Sequence, residues 1–290
     1  MSDLWDAYCQ FRSGQVAPST YQRDYQKITR RLAKMRQAAY HLDSSLEIRD
    51  WLLQTYSVET ARRTLQQFSA CLRWAEESDM VAANPFRGLQ RHLRPKRPSE
   101  KAWAAFTATE RDVIILAFER EHPFYAPWVK FLFWTGARPE EAAALTWGDV
   151  SPSLSEVLIN KALPVDMKEV QSTKNYRATR FPCNHRLQRL LQEIQPIPAV
   201  HDAYLFPGRD GGRINYHNFQ TRQWRPLVKQ LESDGQIAFY LSQYACRHTW
   251  ITLALQHLST ADVSYLARVS PKVLYEHYAD RSRSIVIPEF

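Results

Sequence analysis

The stretch that decides the fold lies near the end of the chain and begins Tyr244-Ala-Cys-Arg247-His248. An apolar run typical of a helix follows it, and the stretch then continues as Arg268-Val-Ser-Pro-Lys-Val-Leu-Tyr275-Glu-His277-Tyr278. An arginine beside polar rings, with a tyrosine about thirty residues later, provides the groups that a phenol needs to attack a phosphodiester. We therefore interpret the upstream chain as the scaffold of this site.

Composition bounds the class of protein. The chain has 290 residues, enough for two domains that each bury a core. Lys and Arg number 38 against 30 Asp and Glu, so the formal net charge is +8 and the pI is about 9.3. This balance favours a polyanionic partner, although solvated surface Lys and Arg would give the same charge.

The cysteines exclude several classes of site. Cys9, Cys71, Cys183 and Cys246 are scattered without a CxxC pair or zinc spacing, so we expect neither disulfides nor metal. The N-terminus lacks the pattern of a secretory signal, and no apolar run reaches membrane-spanning length. We expect a cytoplasmic protein with no membrane partner, associated with the nucleoid when it is bound to DNA.

The first hundred residues are predicted to be helical. Ser19-Thr-Tyr-Gln22 has the pattern of a capping box that opens a helix, and a second helix is predicted from Val58 to Glu77. Their polar faces carry basic side chains that could meet DNA phosphates or simply be solvated: Lys27, Arg30, Arg31, Lys34, Arg62 and Arg63. Arg94, Lys96 and Arg97 lie among prolines in a segment that we interpret as an extended basic linker.

Two segments of the second half carry further candidates. Thr107-Ala-Thr-Glu110 is a capping box, Gly136 ends a later helix, and Pro139 begins the next. Arg138 therefore lies beside a helix N-terminus, where it could hold a phosphate or form a structural ion pair with Glu141. Short β-type runs occupy about residues 156–182, with Lys174 at a turn between the last two, either merely exposed or able to deliver a proton.

Taken in order, these motifs resemble the tyrosine recombinase (phage integrase) family. Thr135-Gly-Ala-Arg138-Pro-Glu-Glu141, Lys174 on a β-turn, Tyr244-x-x-Arg247-His248 and Tyr278 stand at matching separations over nearly the whole chain. The resemblance implies a mainly α fold with a small antiparallel β-sheet (α+β). We expect a helical core-binding (SAM-like) DNA-binding domain at 1–90, a basic linker at 91–102 and a mixed α/β catalytic domain at 103–290.

The resemblance also implies roles for individual residues. Arg138 and Arg247 would hold the scissile phosphate, Glu141 would orient Arg138, and Lys174 would protonate the leaving 5′ oxygen. Tyr278 would be the nucleophile of a site-specific DNA recombinase, an integrase or excisionase of a mobile element. Tyr275 is the competing nucleophile. The 3′-phosphotyrosyl bond conserves the energy of the cut, so we expect no cofactor.

Two positions depart from the family pattern. Tyr244 stands where the family usually has histidine, and Val269 stands where it has histidine or tryptophan. A phenol is a weak base at neutral pH and valine is none. The chain resembles a divergent subgroup of the family that has tyrosine at the first of these positions. His248 and His277 flank key residues and could partly substitute, or they could simply be hydrogen-bonded core histidines.

The partners and the alternatives follow from the same resemblance. Double-stranded DNA would be bound by a homotetramer, with accessory DNA-bending proteins as further partners. A type IB topoisomerase would share the arginine, lysine and tyrosine chemistry but relax DNA without site preference. A catalytically weakened DNA-binding relative would keep the basic surface and lose the reaction.

Overall fold

The chain divides into two compact units, Met1–Pro98 and Ser99–Phe290. The structure is a computed structural model and describes residues 1–37, 44–94, 104–164, 171–172, 178–198 and 200–278. Helices dominate both units, and short antiparallel strands occur in the second, as the sequence predicts.

The described residues of the first unit form helices joined by turns, without strands. Its α-helices are α1 (Ser2–Arg12), α2 (Gln26–Gln37, preceded by a π-helical segment at Thr20–Tyr25), α3 (Ser45–Thr55) and α4 (Val58–Glu77). The Ser57 side chain caps α4 by accepting from the Thr60 N–H, and α4 has the predicted bounds. Trp5, Met35 and Phe68 are fully buried where α1, α2 and α4 meet, because each helix turns an apolar face inward.

Two local predictions for the first unit are wrong. Ser19 makes no capping hydrogen bond and has helical φ and ψ angles of −63° and −36°, whereas an N-cap needs extended backbone. The predicted linker does not begin as extended chain, because Leu89–His92 forms a 3₁₀ helix and Leu93 packs against the core of this unit. Lys96 and Arg97 lie outside the described residues.

The second unit surrounds a core rich in aromatic residues. Its α-helices are α5 (Ala108–Glu121), α6 (Ala126–Thr135), α7 (Pro139–Ala142), α8 (His185–Ile194), α9 (Tyr216–Phe219), α10 (Arg225–Ser233), α11 (Ala245–Ala254), α12 (Thr260–Ala267) and α13 (Pro271–His277). Thr107 and Glu110 form the predicted capping box at the start of α5. Trp128 and Trp224 are almost completely buried within this core.

The strands pair differently from the prediction. They are β1 (Glu156–Ile159), β2 (Lys161–Ala162), β3 (Gln171–Ser172) and β4 (Thr179–Pro182). β1 pairs with β4 and β2 with β3, all antiparallel. The chain therefore reverses between Ala162 and Gln171, and β3 and β4 pair with other strands and not with each other. Lys174 itself lies outside the described residues.

The last three helices form a small apolar cluster of their own. Ile251 and Leu255 of α11 pack against Val263 of α12 and Leu274 of α13, and the ring of Tyr278 completes the cluster. This packing fixes the end of α13 against α11, so it sets the position of Tyr278 relative to Arg247.

Two kinds of feature are absent from the described residues. No helix among them is long and apolar enough to cross a membrane. Within the same part of the chain, no three His, Cys, Asp or Glu side chains are grouped so that they could hold a metal ion.

Candidate active site

The connection between α6 and α7 positions Arg138. Gly136 ends α6 in the left-handed region with φ of 62°, and a Cβ atom there would lie 2.8 Å from the Trp250 ring, so glycine suits both the conformation and the space. Pro139 then opens α7 at the position that tolerates proline. Arg138 is the residue immediately before this helix, as the sequence predicts.

Arg138 is held by its own helix and by a distant loop. Its Nη1 donates to Glu141 Oε1 at 2.6 Å, and its Nη2 donates to the Arg268 carbonyl at 3.3 Å. Burial acts to lower the pKa of Arg138, but Glu141 and Tyr244 outweigh it, so the pKa is raised and the guanidinium stays charged. The ion pair with Glu141 therefore exists, and 17% of the Arg138 side chain remains exposed.

Arg247 approaches the same place from the first turn of α11. It is 3% exposed, its Nη1 donates to the Gly136 carbonyl at 2.8 Å, and its Nη2 donates to the Ala267 carbonyl. Burial and then the like charge of Arg138 lower its pKa to about 10, so it is still charged at neutral pH. Each terminal nitrogen carries a second N–H, so these contacts do not exhaust its donors.

Arg268 is a residue of this cluster to which the sequence analysis gave no role. Its Nη2 and Nε donate to Glu141 Oε2 at 2.9 and 3.2 Å, while Arg138 holds the other oxygen of that carboxylate. Burial acts to raise the pKa of Glu141, but Arg268 and Arg138 lower it to about 2. The partners are 127 positions apart, and no local pattern in the sequence links them.

Tyr278 lies at the end of α13 in contact with His248. The Tyr278 hydroxyl and His248 Nδ1 are 2.5 Å apart, and Tyr278 is 4% exposed. Burial raises the pKa of the Tyr278 phenol, although the charges of Arg247 and Arg138 act in the opposite direction. Burial and the charge of Arg247 lower the pKa of His248 to about 4, so the imidazole is neutral near pH 7 and one of its ring nitrogens can accept a hydrogen bond.

The remaining candidates near Tyr278 differ in exposure. Tyr244 is 39% exposed, and its ring stands edge-on to that of His248 with centroids 5.3 Å apart. His277 is close enough for its charge to affect His248. Tyr275, the competing nucleophile, is 63% exposed. The structure thus places Tyr278, and not Tyr275, against His248.

Val269 has an apolar environment instead of a polar one. Its side chain packs at the edge of the small cluster formed by α11, α12 and α13, and its carbonyl accepts from Ser264 Oγ at 2.6 Å. Valine at this position therefore contributes packing and brings no proton donor or acceptor to the site.

The basic residues predicted to meet DNA have separate surroundings in the first unit. Lys27, Arg31 and Arg63 line a cleft of about 400 Å³ between α2 and α4. Arg31 donates to Thr64 Oγ1 at 2.9 Å, and Arg62 pairs with Glu59 at 3.1 Å, as Arg63 also does. The other described candidates are exposed, namely Arg30, Lys34 and Arg94.

Comparisons with known proteins identify others that share this fold. No family model matches the sequence, and no curated protein matches it. Solved structures do match. The Tn1549 transposon integrase, in complex with circular intermediate DNA, aligns over 96% of this chain and 94% of its own, with a TM-score of 0.79 and 18% identity.

A second group of similar structures is that of lambda integrase. A dimer bound to a COC′ core site aligns over 100% of this chain and 99% of its own, with a TM-score of 0.71 and 12% identity. A tetramer bound to a Holliday junction aligns over 99% and 79%, also with a TM-score of 0.71 and 12% identity. Both integrases are tyrosine recombinases, and at these identities the likeness is one of fold. The chain therefore has the fold of the tyrosine recombinases, the family that its motifs resemble.

Proposed function

We propose that this chain is a site-specific DNA recombinase that cuts and rejoins DNA through a 3′-phosphotyrosyl intermediate. The observation that carries the proposal is the convergence of Arg138, Arg247 and Tyr278, from three separate elements, on one site. The similar structures add support, because those integrases were solved on DNA.

The two arginines suit the binding of a phosphodiester. Arg138 keeps part of its side chain exposed, and Arg247 has N–H groups beyond those given to Gly136 and Ala267. Charge grows on the non-bridging oxygens when a phosphate is attacked, and fixed guanidinium groups stabilise that charge without reorganising. We assign both arginines to the scissile phosphate.

Tyr278 is the proposed nucleophile, and His248 is the proposed acceptor of its proton. The Tyr278 oxygen forms a bond to phosphorus, its proton passes to His248 Nδ1, and the bond from phosphorus to the 5′ oxygen breaks. The leaving 5′ oxygen takes a proton from Lys174, whose role rests on the family resemblance alone. Rejoining is the reverse, so the cycle consumes no cofactor.

We propose a smaller role in the reaction for Tyr244 than for His248. Tyr244 stands beside His248 and within electrostatic range of Arg138 and Arg247. Its hydroxyl suits donation of a hydrogen bond to a phosphate oxygen better than removal of a proton. We therefore assign the role of proton acceptor to His248, which lies near His277, and not to Tyr244.

The units have different proposed tasks. Residues 1–90 would form the core-binding domain, with Lys27, Arg31 and Arg63 around the α2–α4 cleft meeting DNA phosphates, and residues 103–290 would carry the reaction. The segment 91–102 would link them along the DNA. Lambda integrase was solved as a dimer and as a tetramer on DNA, and we propose a tetramer for this chain too.

Covalent trapping tests the proposal. The protein is incubated in chelator with a pool of nicked duplexes that includes DNA flanking its own gene, and DNA that survives detergent denaturation is sequenced. We expect attachment to one sequence, retained in Tyr275→Phe and lost in Tyr278→Phe. Attachment everywhere would indicate a topoisomerase, and tight binding without attachment would indicate a DNA-binding relative.

A further inference from the structure

Arg268 has a backbone conformation that arginine does not favour. It ends α12 with φ of 53° and ψ of 46°, in the left-handed region where glycine is the relaxed choice. A side chain there is strained, because its Cβ comes too close to the following carbonyl oxygen. The turn alone gives no reason for an arginine, so its side chain must contribute something that glycine would not.

The polar contacts of Arg268 include both members of the Arg138–Glu141 ion pair. Its Nε and Nη2 donate to Glu141 Oε2, and its Nη1 donates to the Leu266 carbonyl at 2.6 Å. Its own carbonyl accepts from Arg138 Nη2. Arg268 therefore touches Arg138 twice, directly through its backbone and indirectly through the carboxylate that both arginines bind.

Exposure separates the two arginines that bind Glu141. The Arg268 side chain is 1% exposed and that of Arg138 is 17% exposed. All three nitrogens of the Arg268 guanidinium already donate to protein oxygens. A DNA phosphate can therefore reach Arg138 but not Arg268, so any effect of Arg268 on a bound phosphate has to pass through Arg138.

We propose that Arg268 is a positioning residue: it fixes the Glu141 carboxylate and supplies a carbonyl, and together these set the direction of the Arg138 guanidinium. Oε2 of Glu141 accepts from Arg268 and from the Arg138 backbone N–H, which leaves Oε1 to the Arg138 guanidinium. These contacts together restrain the carboxylate from turning about its last bond. This inference rests on the proposed function only where it concerns DNA cleavage. The orientation of Arg138 is a property of the protein alone.

The first arm of the test needs no DNA. Arg268→Gly suits the left-handed turn and removes the guanidinium, so the variant should fold. The Nε–H signal of Arg138, assigned with Arg138→Lys, is followed by NMR in the full-length protein. We expect this signal to shift and broaden in Arg268→Gly. Asp79→Gly, which relieves another left-handed residue with φ of 56°, is the matched control and should leave the signal unchanged.

The second arm uses the covalent attachment of DNA. Misplacing a group that binds the reacting phosphate costs about 10²-fold, and we expect that loss in Arg268→Gly on ordinary DNA. On DNA with a neutral methylphosphonate at the scissile position, Arg138 has less charge to stabilise. The ratio of wild type to Arg268→Gly should then shrink to about twofold, which is the usual error of additivity.

The outcomes separate the inference from the proposed function. An unchanged Arg138 signal in Arg268→Gly, or an equal loss of rate on both DNA substrates, would overturn the positioning role. If wild type attaches to no DNA, the proposed function fails while the NMR arm still decides the role of Arg268. A changed Arg138 signal together with a charge-dependent loss of rate supports both.

Discussion

Glu141 and Glu59 each bind two arginines, yet their surroundings are opposite. Glu141 lies in the second unit with Arg138 and Arg268, and its side chain is 2% exposed. Glu59 lies at the start of α4 with Arg62 and Arg63, and its side chain is 36% exposed. The arginines lower the pKa of both carboxyl groups, but only Glu141 keeps its pairs out of water.

This difference shows how burial converts one pattern of charges into two kinds of interaction. At Glu59, water and salt screen the attraction, so the arginines stay free to exchange the glutamate for another anion. At Glu141, the charges are shielded from solvent and each depends on its partner, so the geometry of the group is fixed. The first arrangement suits contact with a long DNA backbone, and the second suits the holding of one phosphate.

Neutralising Glu141 and Glu59 in turn should give the largest difference, and this difference is in the free energy of unfolding. Glu141→Gln leaves buried arginines without a counter-charge, and we expect the free energy of unfolding to fall by about 3–5 kcal/mol. Glu59→Gln removes an exposed partner and should cost at most about 1 kcal/mol. Urea unfolding of both full-length variants measures the difference. Equal losses would mean that the Glu141 group is no more important for stability than a surface pair.

The arginines should differ in their effect on DNA cleavage. Arg138→Ala removes a donor to the scissile phosphate, and we expect covalent attachment to slow by about 10²–10³-fold. Arg62→Ala, which also removes one of two arginines that bind a glutamate, should alter DNA affinity but not the rate at saturating DNA. Single-turnover attachment at several DNA concentrations separates the two effects. A similar loss of rate in Arg62→Ala would contradict the assignment.

His248 should make the free energy of unfolding depend on pH in the acid range. Its pKa is about 4 in the folded chain and near 6.5 when unfolded, so the unfolded state binds more protons between these values. Stability should be complete above about pH 6.5 and should fall by on the order of 2–3 kcal/mol as the pH drops to about 4. His248→Asn should flatten this part of the profile, measured by urea unfolding, whereas His257→Asn, at an exposed site, should not.

Substitutions in the cleft of the first unit should have the smallest of the predicted effects, and these are on DNA affinity. We expect Lys27→Ala and Arg63→Ala each to weaken binding uniformly across DNA sequences and to lower the slope of log affinity against log salt by about 1. Arg87→Ala removes the same charge from the same unit outside the cleft and should leave the slope unchanged. Fluorescence anisotropy at several salt concentrations measures this, and an equal change in Arg87→Ala would indicate a general charge effect.

Local patterns predicted much of this fold. The apolar periodicity of α4, the capping box at Thr107 and the Gly136-to-Pro139 connection are set by near neighbours, and the structure has each of them as predicted. The capping box predicted at Ser19 was wrong because the helix begins before Ser19. The prediction for the last two strands was wrong because pairing is decided across the sheet: β3 pairs with β2, and β4 pairs with β1.

The candidate site could be predicted only in part for the same reason. Arg138 and Glu141 are three residues apart, so the sequence suggests their contact. Arg268 binds Glu141 across 127 positions, and His248 meets Tyr278 across 30, through the packing of α11, α12 and α13. No local spacing encodes those contacts. Arg268 is hidden further by its place at a helix end, where a basic residue is ordinary.

The central claim is that Tyr278 attacks DNA, and the most direct measurement is the mass of the attached peptide. Protein trapped on nicked DNA in chelator is digested with nuclease and protease, and the modified peptide is sequenced by mass spectrometry. The account predicts a nucleotide joined by its 3′ phosphate to Tyr278. A nucleotide on Tyr275, or tight DNA binding with no modified peptide, would contradict it.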